Sequence, residues 1–273
     1  MIELILEMLS FSFITRALTV GTLVALCSAL LGVNLVLKRF SMIGDGLAHV
    51  GFGALSVALA FGWAPLYVSL PVVLIAAFLL LRLGANSKIR GDAAIALVSS
   101  SALAIGAIVM SITIGMTADM CNFMFGSILA VSQQDLWLGV AVSIIVLILF
   151  ILFYNRLFAV TFDENFAKAT GTKTQHYNTL LAFLTAMVIV IGMRLMGALL
   201  ISSLIVFPAI TSMRVFKSFK GVVVSSAVLS VICFLIGVVL SYVHALPTGA
   251  SIVMVNLFAL VIFSLISQIR LRA

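Results

Sequence analysis

Nine stretches of this chain run as nearly unbroken apolar sequence, at about 12–37, 43–61, 65–83, 92–115, 135–155, 177–193, 196–213, 221–242 and 249–268. Each is close to the roughly 20 residues that a helix needs to cross the hydrocarbon core of a bilayer. In lipid, a spanning segment must satisfy its own backbone polar groups, and a helix does so within one segment. The expected fold is therefore all-α, a polytopic transmembrane bundle of about eight or nine spans. Composition closes off the alternatives: of 273 residues, 64% are apolar and 8% charged, against roughly 45–50% and about 25% in soluble domains. Nine spans and their connections use up the length. One transmembrane domain over residues 1–273 is expected, and any nucleotide-hydrolysing or substrate-capturing domain has to be another chain.

The charges that remain are placed with a bias. Lys and Arg gather at Lys38/Arg39, Arg82/Lys88/Arg90, Arg156/Lys168/Lys173, Arg214/Lys217/Lys220 and Arg270/Arg272, on alternate connections. A single orientation then satisfies the positive-inside rule, with the C-terminus cytoplasmic and the N-terminus outside. Arg194, in the turn between the sixth and seventh stretches, is the exception. The net charge of +7 reads as this cytoplasmic bias and not as a nucleic-acid surface. No basic segment or small-residue cleavage site precedes the first stretch, so no removable signal is expected. The segment 116–134 is partly polar, and Phe123–Val131 within it reads as a short re-entrant helix. Cys27, Cys121 and Cys233 lie in apolar runs without paired spacing and are expected as unpaired packing residues.

Function classes are excluded by what is missing. A P-loop needs G-x-x-x-x-G-K-[ST], and the nearest sequence, Gly171-Thr172-Lys173-Thr174, lacks the Gly-Lys pair. There is no H-E-x-x-H, and no second aspartate lies clearly within a span to make an intramembrane aspartyl protease. Neither an ATPase nor a protease is encoded.

Three features carry chemistry. Asp45 opens the second apolar stretch, where an aspartate costs about 2.5–3.5 kcal/mol at a helix centre, and His49 follows one turn later on the same face. A carboxylate and an imidazole so placed form half of a site for zinc, manganese or ferrous iron. Equally, Asp45 caps the helix at the surface and His49 is a hydrogen-bonded bundle histidine. The second feature is the polar stretch at about 162–172, where Asp163 is placed to cap a short helix, Glu164 lies in its first turn and Gly171 is placed to end it. Ala167 leaves it a small face for a partner; alternatively, the stretch is a plain connector. The third is Gly192–Ala209, where Gly197 allows close packing and Pro208 frees a carbonyl, as a moving gate or an ordinary packed helix would require. His176 and His244 lie at span ends and are expected at the surface.

The segment Gly32-Val33-Asn34-Leu35-Val36-Leu37-Lys38-Arg39-Phe40-Ser41-Met42-Ile43-Gly44-Asp45-Gly46-Leu47-Ala48-His49 resembles the signature of permease subunits of bacterial zinc and manganese ABC importers. The resemblance continues in order through Gly91-Asp92-Ala93-Ala94-Ile95, Phe125–Val131, Asp163–Gly171, Gly197–Ala209 and Leu246-Pro247-Thr248-Gly249. It departs at Gly46, where Ala, Thr or Ser is commoner, and at Ser202-Ser203 and Phe207 before the proline. It implies a multi-pass subunit of the bacterial cytoplasmic membrane, embedded in the lipid bilayer, working as a homodimer. The implied partners are cytoplasmic ATPase subunits and an extracellular metal-binding lipoprotein. Asp45 and His49 become metal ligands, and Asp163, Glu164, Ala167 and Gly171 belong to a helix that couples to the ATPase. No permanently bound cofactor is implied; the metal is cargo. The stretch Met196–Leu204 looks closer to the zinc branch, so zinc is expected first and manganese or iron next. A stand-alone metal carrier or channel is the other reading of the same residues.

Overall fold

The structure, a computed structural model, describes residues 7–8, 10–86, 91–113 and 133–272, and every regular element among them is a helix. These are α1 (Ser12–Leu37), α2 (Ile43–Ala60), α3 (Pro65–Asn86), α4 (Gly91–Thr113), α5 (Gln133–Leu152), α6 (Tyr154–Phe162), α7 (Glu164–Ala169), α8 (Thr174–Met196), α9 (Ala198–Val215), α10 (Phe219–His244) and α11 (Thr248–Arg272). Among the described residues, eight helices are long and apolar enough to cross a membrane, and α3 adds the shorter apolar stretch Tyr67–Leu80. The all-α bundle read from the sequence is thus the fold. The re-entrant stretch expected at Phe123–Val131, and Cys121, lie outside the described residues.

The helices divide into an inner and an outer set. Helices α1, α2, α8 and α9 are mostly buried inside the chain, whereas α4, α5 and α11 keep most of their apolar surface turned outward. A helix apolar on every side stays stable in both places, since its outer neighbours are lipid tails. The inner helices pack on one another and on α10 and α3. Several of their small polar residues are satisfied locally: the hydroxyls of Ser28, Ser56 and Thr185 each donate to the carbonyl four residues back. Others tie helices together, as Ser230 does by donating to the Ala25 carbonyl at 2.9 Å. Cys27 and Cys233 are buried and unpaired, as expected.

Helix ends show which connections share one end of the bundle. The C-terminus of α1 meets α7 and the start of α8 through Lys38, which reaches Glu164 and Asn178. The start of α10 meets α6 where Phe219 packs at a tilt against Phe158, with ring centroids 4.7 Å apart. The basic positions Lys38, Arg156, Lys168, Lys173 and Lys220 therefore lie at a common end. At the other, Arg194 closes α8 and pairs with Asp135 in the first turn of α5, with nitrogen and oxygen 3.0 Å apart. Arg194, the residue read as an exception to the charge pattern, is thereby neutralised by an acid.

One boundary differs from the sequence expectation. The stretch 135–155 does not run as one helix, because α5 stops at Leu152 and the chain turns at Phe153 into α6. Helix α6 buries Leu157 and Val160 and leaves Phe162 exposed. It is amphipathic where α5 is apolar all round, which places it at the bundle's edge.

Candidate functional site

Helix α2 is wrapped on three sides. A methyl group added at Gly46 would meet the Ile95 side chain of α4 at 2.6 Å, and at Gly53 the Ala102 carbonyl oxygen of α4 at 2.7 Å. Glycine at these positions lets two helix backbones touch. Gly44 faces Ser202 and Ile205 of α9, and Gly51 faces Met193 of α8 and Val73 of α3. What stays uncovered at the start of α2 is a stripe at helical spacing: Met42, 54% exposed, then Asp45 and His49, whose side chains are 45% and 17% exposed.

Within that stripe, His49 Nε2 lies 3.5 Å from Asp45 Oδ2. The separation is long for a hydrogen bond and short for two groups that ignore each other. It fits a shared ion. With metal–ligand distances of about 2.1 Å, two corners of a tetrahedral zinc site stand about 3.4 Å apart. An ion seated between these atoms needs both ligands deprotonated, which is how metal binding and proton release are linked. Among the described residues no cluster of three or more His, Cys, Asp and Glu side chains is found. Among the described residues, this stripe thus offers two candidate ligands, Asp45 and His49.

The expected gate segment borders this site from the inside. Gly197 is the turn between α8 and α9, with φ +90 and ψ 157, backbone angles that side-chain-bearing residues avoid. Its small size is thus used for the reversal itself. Helix α9 then continues through buried Pro208, which lacks the N–H that would bond the Leu204 carbonyl. Leu204 is followed by Ile205, the residue that abuts Gly44 one position before Asp45.

At the opposite side of the α1–α2 turn lies the polar stretch. Asp163 is the N-cap of α7, its carboxylate accepting from the Phe166 N–H at 2.9 Å. The far end closes with Thr172 N–H donating to the Ala167 carbonyl and Gly171 N–H to that of Lys168, with Gly171 at φ +82. This double closure is the Schellman motif. Glu164 collects donors: Lys168 at 3.2 Å, Lys38 at 3.5 Å, Asn178 at 3.2 Å and Thr174 at 3.4 Å. Burial pushes its carboxyl up, but the hydrogen bonds from Asn178 and Lys168 and the charges of Lys38 and Lys168 more than offset this and hold it below the usual carboxylate range. Burial likewise pushes the Lys38 ammonium below its usual range, against the pull of Glu164.

Ala167 corrects the expectation made for it. It is 1% exposed and turned into the chain, so it gives no contact face to a partner. Among the exposed residues of α7, Phe166 is the large apolar one, at 66%. The sequence reading also missed Lys38 and Asn178 as companions of Glu164. Their separation along the chain hid them, though a lysine and a carboxylate at the ends of neighbouring helices were the available signal. His176 and His244 are exposed, as expected.

Comparison with known proteins sets these sites in context. Residues 10–267 match the family described as ABC 3 transport family. The manganese transport system membrane protein MntC of Halalkalibacterium halodurans is 29% identical, over 94% of this chain and 89% of that protein. The high-affinity zinc uptake system membrane protein ZnuB of Haemophilus influenzae is 28% identical, over 96% of this chain and all of that protein. Among solved structures, PsaBC from Streptococcus pneumoniae in complex with Fab has a chain that superposes with a TM-score of 0.85 at 28% identity, covering 96% of this chain and 95% of its own. Manganese and zinc both occur in the relatives' names, so the expected preference for zinc gains no support from them.

Proposed function

Because the chain belongs to the ABC 3 transport family, as its match over residues 10–267 shows, we propose that it imports a divalent transition metal, zinc or manganese, as the membrane subunit of an ATP-driven system. The relatives bearing manganese and zinc names support the cargo class. The observation that carries the reading is the Asp45–His49 pair at 3.5 Å on the uncovered stripe of α2. Two ligands fall short of the four that zinc prefers. A second copy, related by a two-fold axis beside α2, supplies the same two again. The ion then sits between two chains, in a shell that is complete only when both approach and that loosens when they part. Helix α9, which starts after Gly197 and runs through Pro208, lies against this part of α2 and is suited to change the approach.

Energy enters from outside the chain, since no P-loop is encoded in it. The residues Asp163, Glu164, Ala167 and Gly171 build α7 at the bundle end where basic residues collect, the cytoplasmic end by the positive-inside rule. In this reading α7 is the coupling helix, with Phe166 facing the ATPase, and the whole chain is one permease domain. The binding lipoprotein approaches the Asp135–Arg194 end. An impermeant thiol reagent should label a cysteine placed at Lys217 only from the cytoplasmic side.

Metal binding itself tests the site. Purified chain in detergent should bind one Zn2+ or Mn2+ per two chains by equilibrium titration, with the Mn2+ spectrum changed by electron paramagnetic resonance. The variant His49→Ala should lose that binding while remaining dimeric. Unaltered stoichiometry and spectrum in His49→Ala would place the cargo elsewhere. Competition between the two ions in the same titration decides which is held more tightly.

A further inference from the structure

Lys38 ends α1, yet its ammonium is turned away from solvent, its side chain only 10% exposed. It donates to Asn178 Oδ1 at 2.6 Å and lies 3.5 Å from Glu164 Oε2, while the Asn178 amide donates to the same Glu164 oxygen at 3.2 Å. The three side chains close a triangle whose corners belong to α1, α7 and α8. The alternative fate of a lysine at a helix end in the interfacial region is to extend into water. Here that freedom is given up for two charge-assisted contacts, which are among the stronger hydrogen bonds.

Immediately after Lys38 the chain reverses: Phe40 N–H donates to the Leu35 carbonyl at 2.9 Å and Arg39 N–H to that of Val36 at 3.0 Å. Arg39 sits at φ +63 between them. Ile43 N–H then donates to the Phe40 carbonyl at 3.1 Å, and α2 begins with Asp45 in its first turn. This stretch is a closed run of backbone bonds with no slack segment. A displacement of Lys38 is carried into the first turn of α2. A second tie runs parallel, from the Thr161 hydroxyl of α6 to Asn34 Oδ1 of α1 at 2.9 Å.

We propose that Lys38 and Asn178 are positioning residues that transmit movement of α7 to the Asp45–His49 site, by way of Glu164 and the α1–α2 turn. The inference rests on the coupling and metal-site reading above and adds the route between them. In that route Glu164 is the hub, Asn178 fixes it to α8, and Lys38 carries the pull to α2. Neither Lys38 nor Asn178 touches metal or nucleotide.

The test is made on the full assembly in proteoliposomes, measuring metal taken up per ATP hydrolysed. Lys38→Met keeps the length of the side chain and removes its charge. It should retain ATPase association and metal-stimulated hydrolysis within twofold of wild type, while metal per ATP falls at least tenfold. Lys38→Arg, which keeps charge and reach, should retain at least half of the wild-type ratio. Asn178→Ala cuts the same triangle from the α8 side and should reproduce the loss in the ratio. An unchanged ratio in both Lys38→Met and Asn178→Ala overturns the proposal, as does a proportional fall of hydrolysis and uptake, which marks mere loss of active protein. Failure of both variants to assemble assigns these residues to folding and overturns it equally. Phe166→Asp separates the two readings: if it leaves ATPase association intact, α7 is not the coupling helix, whatever the Lys38 variants do.

Discussion

Two carboxylates, Asp45 and Glu164, are furnished in opposite ways. Among the described residues, the side-chain contact found for Asp45 is with His49, at 3.5 Å, and nearly half its side-chain surface is open. Glu164 is met by Lys38, Lys168, Thr174 and Asn178. A carboxylate has about four lone-pair sites, so Glu164 has little capacity left for anything else and Asp45 has most of its own. A group saturated by its own chain is held in place; one left short is available to a visitor. The difference suits Glu164 to the proposed joint and Asp45 to the proposed metal site without appeal to any relative.

The most severe way to break this comparison is to neutralise each carboxylate with its nearest isostere. Asp45→Asn should abolish metal uptake, down to the level of vesicles lacking the transporter, and leave the melting temperature in detergent unchanged. Glu164→Gln should leave metal binding by the isolated chain unchanged and lower the melting temperature. The reason is that its charge-assisted hydrogen bonds, stronger than neutral ones, become neutral. Radioactive metal uptake and a thermal-shift series on the same preparations read both. If the two variants show the same profile, the contrast between joint and site is wrong.

A second variant asks whether the open stripe depends on the covered faces of α2. Gly53→Val sets a branched side chain where even a methyl would stand 2.7 Å from the Ala102 carbonyl oxygen. Backbone cannot give way as a flexible side chain can, and overpacking of this kind costs about 1–3 kcal/mol. The expected outcome is a lowered melting temperature together with weakened metal binding, since α2 must tilt off α4. A melting temperature equal to wild type would show that the α2–α4 contact is softer than the distances imply.

Much of this was legible in the sequence because the bilayer imposes its own ruler. Nine apolar stretches predicted helices that the structure has within a few residues, and the α8–α9 break falls at Gly197. Asp163 as cap and Gly171 as terminator were equally readable, since both act within a few residues of themselves. Two things were not readable. The inside of a six-residue helix cannot be assigned by periodicity, so Ala167 was placed on the wrong side. Lys38, Glu164 and Asn178 are brought together by tertiary packing of α1, α7 and α8, and no local pattern records that. Arg194 shows the same limit in reverse: it looked like an exception to a charge rule until Asp135, distant in sequence, was found beside it.

Acid should loosen the joint at Glu164. The folded-state pKa of Glu164 lies below its unfolded value, so the associated stability is fully present above the ordinary carboxylate range. It is lost as pH falls through the depressed folded value. Thermal scans from neutral pH downward should therefore be level and then decline below that range. The Glu164→Gln variant should lack this part of the decline. An identical acid profile in the variant would mean that other carboxylates set it.

The smallest expected effect compares two turns of the same design. After α7, Gly171 takes φ +82 with open space around it, and after α1, Arg39 takes φ +63. Both stand at the position just past a helix end where a left-handed residue lets two N–H groups reach back to orphaned carbonyls. A side-chain-bearing residue in that conformation is disfavoured by roughly 1 kcal/mol or somewhat more. Gly171→Ala meets no neighbour, so its effect is this backbone strain, offset in part by the freedom alanine lacks when unfolded: a small fall in melting temperature, with α7 otherwise intact. Arg39→Gly relieves the same strain, but the extra freedom glycine has when unfolded offsets part of the gain, so its rise should be equally small. Thermal shift on both variants checks the signs. A rise in Gly171→Ala would show that backbone strain at a positive φ does not set the effect, and a fall in Arg39→Gly would mean that the Arg39 side chain holds the α1–α2 turn through its own contacts, giving the stiffness of that turn a source beyond its backbone bonds.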